Sequence, residues 1–237
     1  MNRVDLMQFE SDVLLAAKAA EDWLELLASP IHSARPFTVA LSGGRITKTF
    51  FAHAVQKARA RGFSLKGVHF FWADERCVPP DHPESNFAVA QELMLEPLGI
   101  PTSNIHRIRG ELPPDEAARF ATSELKALFP DTEPSPPLDL VFLGMGEDGH
   151  VASLFPGDPF EETHETPWFR PVVASKPPPH RITMSYQLIQ AAKQVWVLAS
   201  GKGKQDALAS SLISRELPLG KVRASRPSLR IFSDISS

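Results

Sequence analysis

Residues 138–157 read LDLVFLGMGEDGHVASLFPG, an apolar run that leads into a glycine-rich turn. The run is short and is interrupted only by Asp139, which is the pattern of a strand covered on both faces of a parallel sheet. Glycines then allow the backbone to turn sharply and to approach a ligand closely. Because ligands of open parallel sheets bind at the carboxyl ends of strands, Asp148 and His150 are candidate functional residues. A strand-to-helix turn whose histidine makes only local hydrogen bonds would show the same pattern.

A second strand end of this kind occurs earlier in the chain. Residues 37–41 read as a buried strand, followed at once by Ser-Gly-Gly at 42–44 and by a helix from about Arg45. Free amides and the positive end of a helix dipole meet at such a turn, which therefore favours an anion. Arg45 and Lys48 place cations in the first helical turn, where the dipole disfavours them unless an anion is bound. Solvated surface charges are the alternative.

Two more buried strands end in polar segments. Residues 68–72 lead into the charged triplet Asp-Glu-Arg at 74–76, and residues 195–199 lead into Ser-Gly-Lys-Gly-Lys at 200–204. Lysines among glycines at a strand end suit a phosphate group. For both segments a solvated loop is the alternative.

Strands and helices alternate along the whole chain. Further strands are predicted at 105–108, 169–174, 181–185 and 229–232, and further helices at 11–27, 87–95 and 114–129. Asn86 precedes one of these helices and either caps it or contacts a ligand. The alternation predicts a three-layer α/β/α fold with a mostly parallel, open, Rossmann-like sheet. Anion-binding groups and one imidazole then share the carboxyl rim, which predicts a small phosphorylated substrate and proton transfer.

Composition limits the class of protein. The chain has 237 residues, of which 43% are hydrophobic and 22% charged, as expected for one α/β domain spanning 1–237. The net charge is −3, so a general nucleic-acid binder is not expected. No apolar run approaches the roughly 20 residues of a membrane-spanning helix, and the amino terminus lacks the basic start of a secretory signal, so the expected location is the cytoplasm.

Metal or disulfide chemistry is not expected. Cys77 is the single cysteine, which excludes an internal disulfide and a cysteine-rich metal site. The remaining histidines show no ligand spacing, so neither a metal nor another cofactor is expected. They are His32, His53, His69, His82, His106, His164 and His180.

A series of motifs resembles that of the 6-phosphogluconolactonase family. The longest is Gly-Met-Gly-Glu-Asp-Gly-His-Val-Ala-Ser-Leu-Phe-Pro at 144–156, which is highly specific. The others are Leu-Ser-Gly-Gly at 41–44, Ala-Asp-Glu-Arg-Cys-Val-Pro at 73–79, Ser-Asn at 85–86, Arg-Ile-Thr at 181–183, and Gly201 with Lys204. They occur in the family's order and span most of the chain.

The resemblance implies a fold shared with glucosamine-6-phosphate deaminase and the hydrolysis of 6-phosphoglucono-δ-lactone in the pentose phosphate pathway. It implies that His150 is the catalytic base, with Asp148 and Asp74 beside it. The phosphate group would be bound by Ser42, Gly43, Gly44, Arg76 and Lys204, and the rest of the substrate would be contacted by Asn86 and Arg181. To the phosphate-binding residues, the charge at the start of the helix adds Arg45. A monomer or weak dimer is expected. Whether Asp74 or Asp148 orients the imidazole stays open.

Two differences bear on this resemblance. The family usually continues the glycine pair as Ser-Thr-Pro, whereas Arg45-Ile46-Thr47 follows here, so Thr47 or the Arg45 guanidinium would replace a missing hydroxyl. The deaminases carry Phe-Asn-Glu-Pro after the histidine, with an acid for ring opening, whereas this chain has Leu-Phe-Pro at 154–156. That favours the lactonase over a sugar-phosphate isomerase or deaminase. A non-catalytic sugar-phosphate effector domain, the other alternative, would normally carry a DNA-binding segment.

Overall fold

The computed structural model describes residues 3–29, 36–130, 135–158 and 166–235. The strands are β1 (Arg3–Gln8), β2 (Phe37–Leu41), β3 (Val68–Trp72), β4 (Asp74–Arg76), β5 (Leu140–Gly144), β6 (Phe169–Val173), β7 (His180–Met184), β8 (Gln194–Ala199) and β9 (Ser228–Ser233). The α-helices are α1 (Asp12–Ala28), α2 (Arg45–Ala60), α3 (Asn86–Ala90), α4 (Pro114–Leu128), α5 (Tyr186–Ala191), α6 (Gln205–Ile213) and α7 (Pro218–Ser225). A π-helical turn, Gln91–Leu95, continues α3.

The main sheet has six parallel strands in the order β1-β9-β8-β5-β2-β3. The predicted mostly parallel α/β fold is therefore confirmed. The chain passes from β2 to β3 on one side and later returns to β5 on the other side of β2. The carboxyl ends of β2 and β5 thus adjoin the point where the strand order reverses, which is where open α/β sheets bind ligands.

A buried aromatic cluster explains why these strands contain so few polar residues. Trp23 of α1 lies 5.7 Å from both Phe50 of α2 and Phe142 of β5, measured between ring centroids, and 6.4 Å from Phe70 of β3. All four rings are almost completely buried. Because helices cover the sheet, the strands read as nearly continuous apolar runs instead of alternating ones.

The one polar interruption in the β5 run, Asp139, joins neighbouring segments. Its Oδ2 atom accepts hydrogen bonds from the amide and the hydroxyl of Thr38, at 2.9 and 3.0 Å. Its Oδ1 atom lies 3.0 Å from the Lys193 ammonium group. A buried carboxylate is tolerated here because each of its oxygens has a partner.

A second sheet contains three antiparallel strands in the order β4-β7-β6, and the sequence did not predict it. The triplet at 74–76, which the sequence presents as a polar segment, is strand β4, and it pairs residue by residue with β7, so that Asp74 faces Thr183 and Arg76 faces Arg181. Asp, Glu and Arg are poor indicators of a strand. The pairing partner lies about a hundred residues further along the chain, so no local pattern reveals it.

Other differences from the predicted elements are small. The expected strand at 105–108 is wrong, because only Ile105 forms an isolated bridge, with Phe70. Strand β1 and helices α5 and α7 were not predicted. His32 and His164 lie outside the described residues. Across the ranges that the structure describes, no helix is long and apolar enough to span a membrane.

Candidate active site

A cavity of about 110 Å³ opens at the carboxyl ends of β2 and β5. Every predicted site residue except Asp148 lines it. The lining consists of Ser42, Gly43, Gly44, Arg45, Ile46, Asp74, Arg76, Asn86, Gly144, Met145, His150, Ala152, Arg181 and Lys204. The tertiary structure thus brings the predicted base and the predicted anion-binding groups together.

His150 is bonded to Asp148, which was one of the two candidates for orienting it. The His150 Nδ1 atom lies 2.5 Å from the Asp148 Oδ1 atom. Burial alone would raise the pKa of Asp148, but the hydrogen bond and charge of His150 outweigh burial and hold that pKa below its usual value. Asp148 therefore stays ionised and accepts the Nδ1 proton, which leaves the Nε2 atom of a neutral imidazole unprotonated.

The turn between β5 and His150 has little free space. The Gly146 amide donates to the His150 carbonyl at 2.9 Å, and the Gly149 amide donates to the Gly146 carbonyl at 3.1 Å. A Cβ atom on Gly146 would lie 2.1 Å from His150 Nδ1 and 2.6 Å from Asp148 Oδ1. Glycine at 146 is therefore required so that the imidazole and carboxylate can pack over the backbone.

Asp74, the other candidate for orienting His150, has different partners. The buried Ser153 hydroxyl donates to the Asp74 Oδ2 atom at 2.7 Å. The side-chain amide of Asn86 donates to the Asp74 carbonyl at 2.9 Å and lies 3.4 Å from the Asp74 Oδ1 atom. The amide of Ser153 donates to the Thr183 hydroxyl at 3.1 Å. Asp74 thus joins the loop after His150 to the second sheet.

The Ser-Gly-Gly turn after β2 presents backbone to the cavity. Gly44 has φ of 114°, and no side chain caps the amino terminus of α2. The Ser42 hydroxyl donates to the Phe142 carbonyl at 2.9 Å. The Thr47 hydroxyl donates to the Gly43 carbonyl at 3.0 Å, and Thr47 does not line the cavity. Of the two expected replacements for the missing hydroxyl, only Arg45 is therefore at the cavity.

Arg45 and Lys204 form one pair of like charges. Burial lowers the pKa of Lys204, the Arg45 charge lowers it further, and Glu147 and Asp234 act in the opposite direction. The Arg45 guanidinium lies close to Gly201: a Cβ atom added to Gly201 would be 3.2 Å from the Arg45 Nη2 atom. Within the described part of the chain neither cation makes an ion pair.

Glu75 organises the residues around the cavity, although sequence reasoning assigned it no role. It is buried, and its carboxylate accepts from the amides of Arg76, Asn86 and Phe87 at 2.7 to 2.8 Å and from the Ser85 hydroxyl at 3.1 Å. Ser85 is the N-cap of α3, so Asn86 does not cap it as one reading of the sequence held. The sequence signal that could have indicated this role is the position of Glu75, an acid ten residues before the Ser-Asn pair at 85–86.

Glu75 should make folding stability depend on pH. Burial raises its pKa to about 7, which Asp74 reinforces and the amide donors oppose. The pKa of Glu75 in the folded protein exceeds its ordinary value of 4.5, so protonation of Glu75 stabilises the folded state. This stabilisation is complete below about pH 4.5 and is lost as the pH rises through about 7. We expect the free energy of unfolding, relative to Glu75→Gln, to fall by up to about 3 kcal/mol over this interval. Denaturant titrations at a series of pH values measure this free energy.

The control is Glu92→Gln, at an exposed position, which should show the pH dependence of wild type. The expectation would be contradicted if the free energies of unfolding of wild type and Glu75→Gln changed in parallel with pH.

A larger groove of about 830 Å³ is lined in part by Phe155, but it lacks convergent charged groups. Its two oppositely charged residues, Asp158 and Arg170, are paired with each other. In the described ranges, no group of three or more His, Cys, Asp or Glu residues is arranged to hold a metal ion. The smaller cavity is therefore the candidate active site.

Comparison with known proteins identifies relatives along most of the chain. The family described as glucosamine-6-phosphate isomerases/6-phosphogluconolactonase matches residues 10–231. The 6-phosphogluconolactonase of Haemophilus influenzae is 38% identical over 73% of this chain and 72% of its own length. That of Mycobacterium bovis is 35% identical over 86% and 83%, and a probable chloroplastic 6-phosphogluconolactonase of rice is 33% identical over 97% and 73%.

Solved structures show the same fold. The 6-phosphogluconolactonase from Trypanosoma cruzi superposes with a TM-score of 0.84 at 25% identity, covering 98% of this chain and 96% of that one. The Thermotoga maritima 6-phosphogluconolactonase gives 0.81 at 26% identity, with 98% and 99% covered. A monomeric glucosamine-6-phosphate deaminase gives 0.79 at 19% identity, with 97% of each chain covered, and at that identity the likeness concerns the fold alone.

Proposed function

The chain belongs to the glucosamine-6-phosphate isomerase/6-phosphogluconolactonase family, and from this premise we propose that it hydrolyses 6-phospho-D-glucono-1,5-lactone to 6-phosphogluconate. This is a step of the oxidative pentose phosphate pathway. The observation that carries the proposal is the Asp148-bonded imidazole of His150 at the edge of a cavity lined by cations and free amides. A base beside an anion site is what hydrolysis of a phosphorylated lactone requires.

The phosphate group binds at the turn between β2 and α2. The amides of Gly43 and Gly44 stand at the positive end of the α2 dipole, and Arg45 and Lys204 add charge from the side. A phosphate dianion offsets the mutual repulsion of these two cations, which otherwise disfavours their approach. Phosphate binding at this end fixes the distance from the lactone carbonyl to His150.

His150 then acts on water as a general base. Its Nε2 atom removes a proton as the water oxygen attacks C1, and Asp148 stabilises the imidazolium that forms. The imidazolium returns the proton to the ring oxygen when the bond between C1 and that oxygen breaks. The acid product loses a proton at neutral pH.

The residues after His150 favour the lactonase over the deaminase. The Phe155 ring lies 4.9 Å from the His150 ring, measured between centroids, and Leu154 is buried. At the corresponding place, the deaminase motif named above carries an acid for ring opening. An apolar ring next to the imidazole supplies no second proton donor, which is consistent with hydrolysis by one base.

One assay separates the proposed reaction from its alternatives. Acid release is followed with freshly prepared 6-phosphogluconolactone, and spontaneous hydrolysis is subtracted. We expect rapid release with the protein and no ammonia from glucosamine 6-phosphate. Ammonia release without lactone hydrolysis would assign the deaminase reaction, and binding without either reaction would assign an effector domain.

Lys204→Ala is expected to raise KM for the lactone about 10- to 100-fold, because it removes a charge-assisted bond to the phosphate group. The variant should also discriminate less between this lactone and unphosphorylated glucono-δ-lactone. Lys202→Ala is the matched control, since Lys202 is exposed in the same short segment and does not line the cavity. Unchanged discrimination in Lys204→Ala would place the phosphate elsewhere.

The proposal extends to the protein's context. Residues 1–237 are treated as one lactonase domain, supported by a core cluster that includes residues of both sheets. A cytoplasmic location is supported by the single cysteine, and cell fractionation tests it. A monomer or weak dimer is proposed, which sedimentation measures directly.

A further inference from the structure

A second pair of like charges lines the same cavity. Arg76 of β4 and Arg181 of β7 are direct partners across the two antiparallel strands, and both line the cavity. Like charges directly opposite each other destabilise a sheet. Such a pair is stable when an anion binds between the two side chains or when neighbouring acids compensate both.

Among the described residues, a neighbouring acid forms an ion pair with only one member of this pair. The Arg76 guanidinium donates to the Glu84 carbonyl at 2.7 Å and lies 3.2 Å from the Glu84 carboxylate. Within the described ranges, Arg181 donates only to the carbonyls of Pro178 and Lys176, at 3.1 and 3.4 Å. Burial lowers the pKa of Arg181 and the Arg76 charge lowers it further, and together they outweigh the opposite effect of the Asp74 and Glu84 charges. The nearby Asp74 carboxylate is engaged by Ser153 and Asn86.

The number of anions on the ligand changes during the reaction. The lactone carries one anionic group, its phosphate, and the turn with Arg45 and Lys204 accounts for it. Hydrolysis creates a second negative charge at C1, first as the oxyanion of the tetrahedral intermediate and then as a carboxylate. A cavity with two separate cation pairs therefore matches the product and the intermediate better than the substrate.

Arg181 is on the side of the cavity where C1 must lie. The Phe155 ring is 4.9 Å from the His150 ring, and the central guanidinium carbon of Arg181 is 5.8 Å from the same Phe155 ring, both measured to its centroid. The base and this guanidinium thus lie near the same side chain. A carbonyl attacked by water at His150 is within reach of Arg181.

We propose that Arg181, with Arg76 beside it, binds the oxygen at C1, stabilising the oxyanion during hydrolysis and the carboxylate of the product. This inference rests on the proposed lactonase function. As water bonds to C1, the carbonyl π electrons move to the carbonyl oxygen and the water proton moves to His150. When the electron pair returns, the bond between C1 and the ring oxygen breaks and that oxygen takes the proton. Arg76, which the family resemblance assigns to the phosphate group, is thereby assigned to the C1 end.

Two ligands that differ only at C1 test the assignment by calorimetry. Sorbitol 6-phosphate has a hydroxymethyl group where 6-phosphogluconate has a carboxylate. Wild type should bind 6-phosphogluconate more tightly, by about 10- to 100-fold. Arg181→Gln should lose this preference while binding sorbitol 6-phosphate as before, Arg181→Lys should keep part of it, and Lys204→Ala should weaken both ligands equally. Arg215→Gln, at an exposed position outside the cavity, is the control.

Turnover provides the second measurement. Arg181→Gln should lower kcat about 10²- to 10³-fold, as removal of an oxyanion donor does, with a smaller change in KM. Equal weakening of both ligands in Arg181→Gln would overturn the inference and place Arg181 at the phosphate group. Wild-type binding of both ligands by this variant would overturn the inference as well. The same comparison in Arg76→Gln decides its assignment. Arg181→Lys keeps a charge at the buried position, so the test holds if the glutamine variant fails to fold.

Failure of the proposed function would look different. If the wild-type protein bound both ligands with the expected preference but hydrolysed no lactone, the proposed function would be rejected and the second anion site would stand.

Discussion

Replacement of His150 by alanine is expected to lower kcat for lactone hydrolysis about 10²- to 10⁴-fold, the usual contribution of a positioned general base. His150 lines the cavity, and its bond to Asp148 leaves one ring nitrogen free to accept the water proton. No other histidine lines this cavity among the described residues, so nothing there replaces it. The rate is measured on fresh lactone after subtraction of spontaneous hydrolysis.

Two further variants make the His150 result specific. Asp148→Asn keeps the shape of the side chain but removes the charge that stabilises the imidazolium, so a smaller loss of kcat is expected. His53→Ala, on α2 and outside the cavity, should keep wild-type kcat. Near-normal turnover in His150→Ala would show that another group activates the water.

Gly146→Ala is expected to lower kcat by about 10²-fold or more, although it adds only one methyl group. That methyl group would lie 2.1 Å from the His150 Nδ1 atom and 2.6 Å from the Asp148 carboxylate, so both side chains must move. A displacement of about 1 Å in a catalytic group typically costs about 10²-fold in rate. KM should change less, since the turn proposed to bind the phosphate group is built by β2 and α2.

Gly67→Ala is the matched control for this variant. Gly67 is exposed in a turn, and a Cβ atom there meets nothing within 4 Å. Neither Gly67 nor Gly146 has the positive φ that disfavours alanine, so the pair isolates the effect of the contact with His150. A circular dichroism melt shows whether Gly146→Ala remains folded. Normal turnover in a folded Gly146→Ala protein would show that His150 is not needed where the structure places it.

The residues of the candidate site that the sequence indicates directly are those whose chemistry is local. Asp148 and His150 are two residues apart, and the Ser-Gly-Gly turn is three consecutive residues, so their patterns are visible in sequence. Neither Glu75 nor Ser153 was assigned a role. Ser153 binds Asp74 across 79 residues, and Glu75 accepts from amides of a later helix. Contacts of that kind depend on how elements pack, which no local spacing encodes.

The sequence by itself determined the parallel sheet, the turn that carries His150, and the Ser-Gly-Gly turn after β2. Apolar periodicity and glycine spacing act within a few residues, so they determine strands and turns without knowledge of the remaining chain. Only the tertiary structure decided that β4 pairs with β7 in a second sheet, and therefore that Arg76 lies beside Arg181. The physical reason is that backbone pairing between segments about a hundred residues apart is selected by the packing of the whole molecule. Where the cations of this site stand relative to one another follows from that packing.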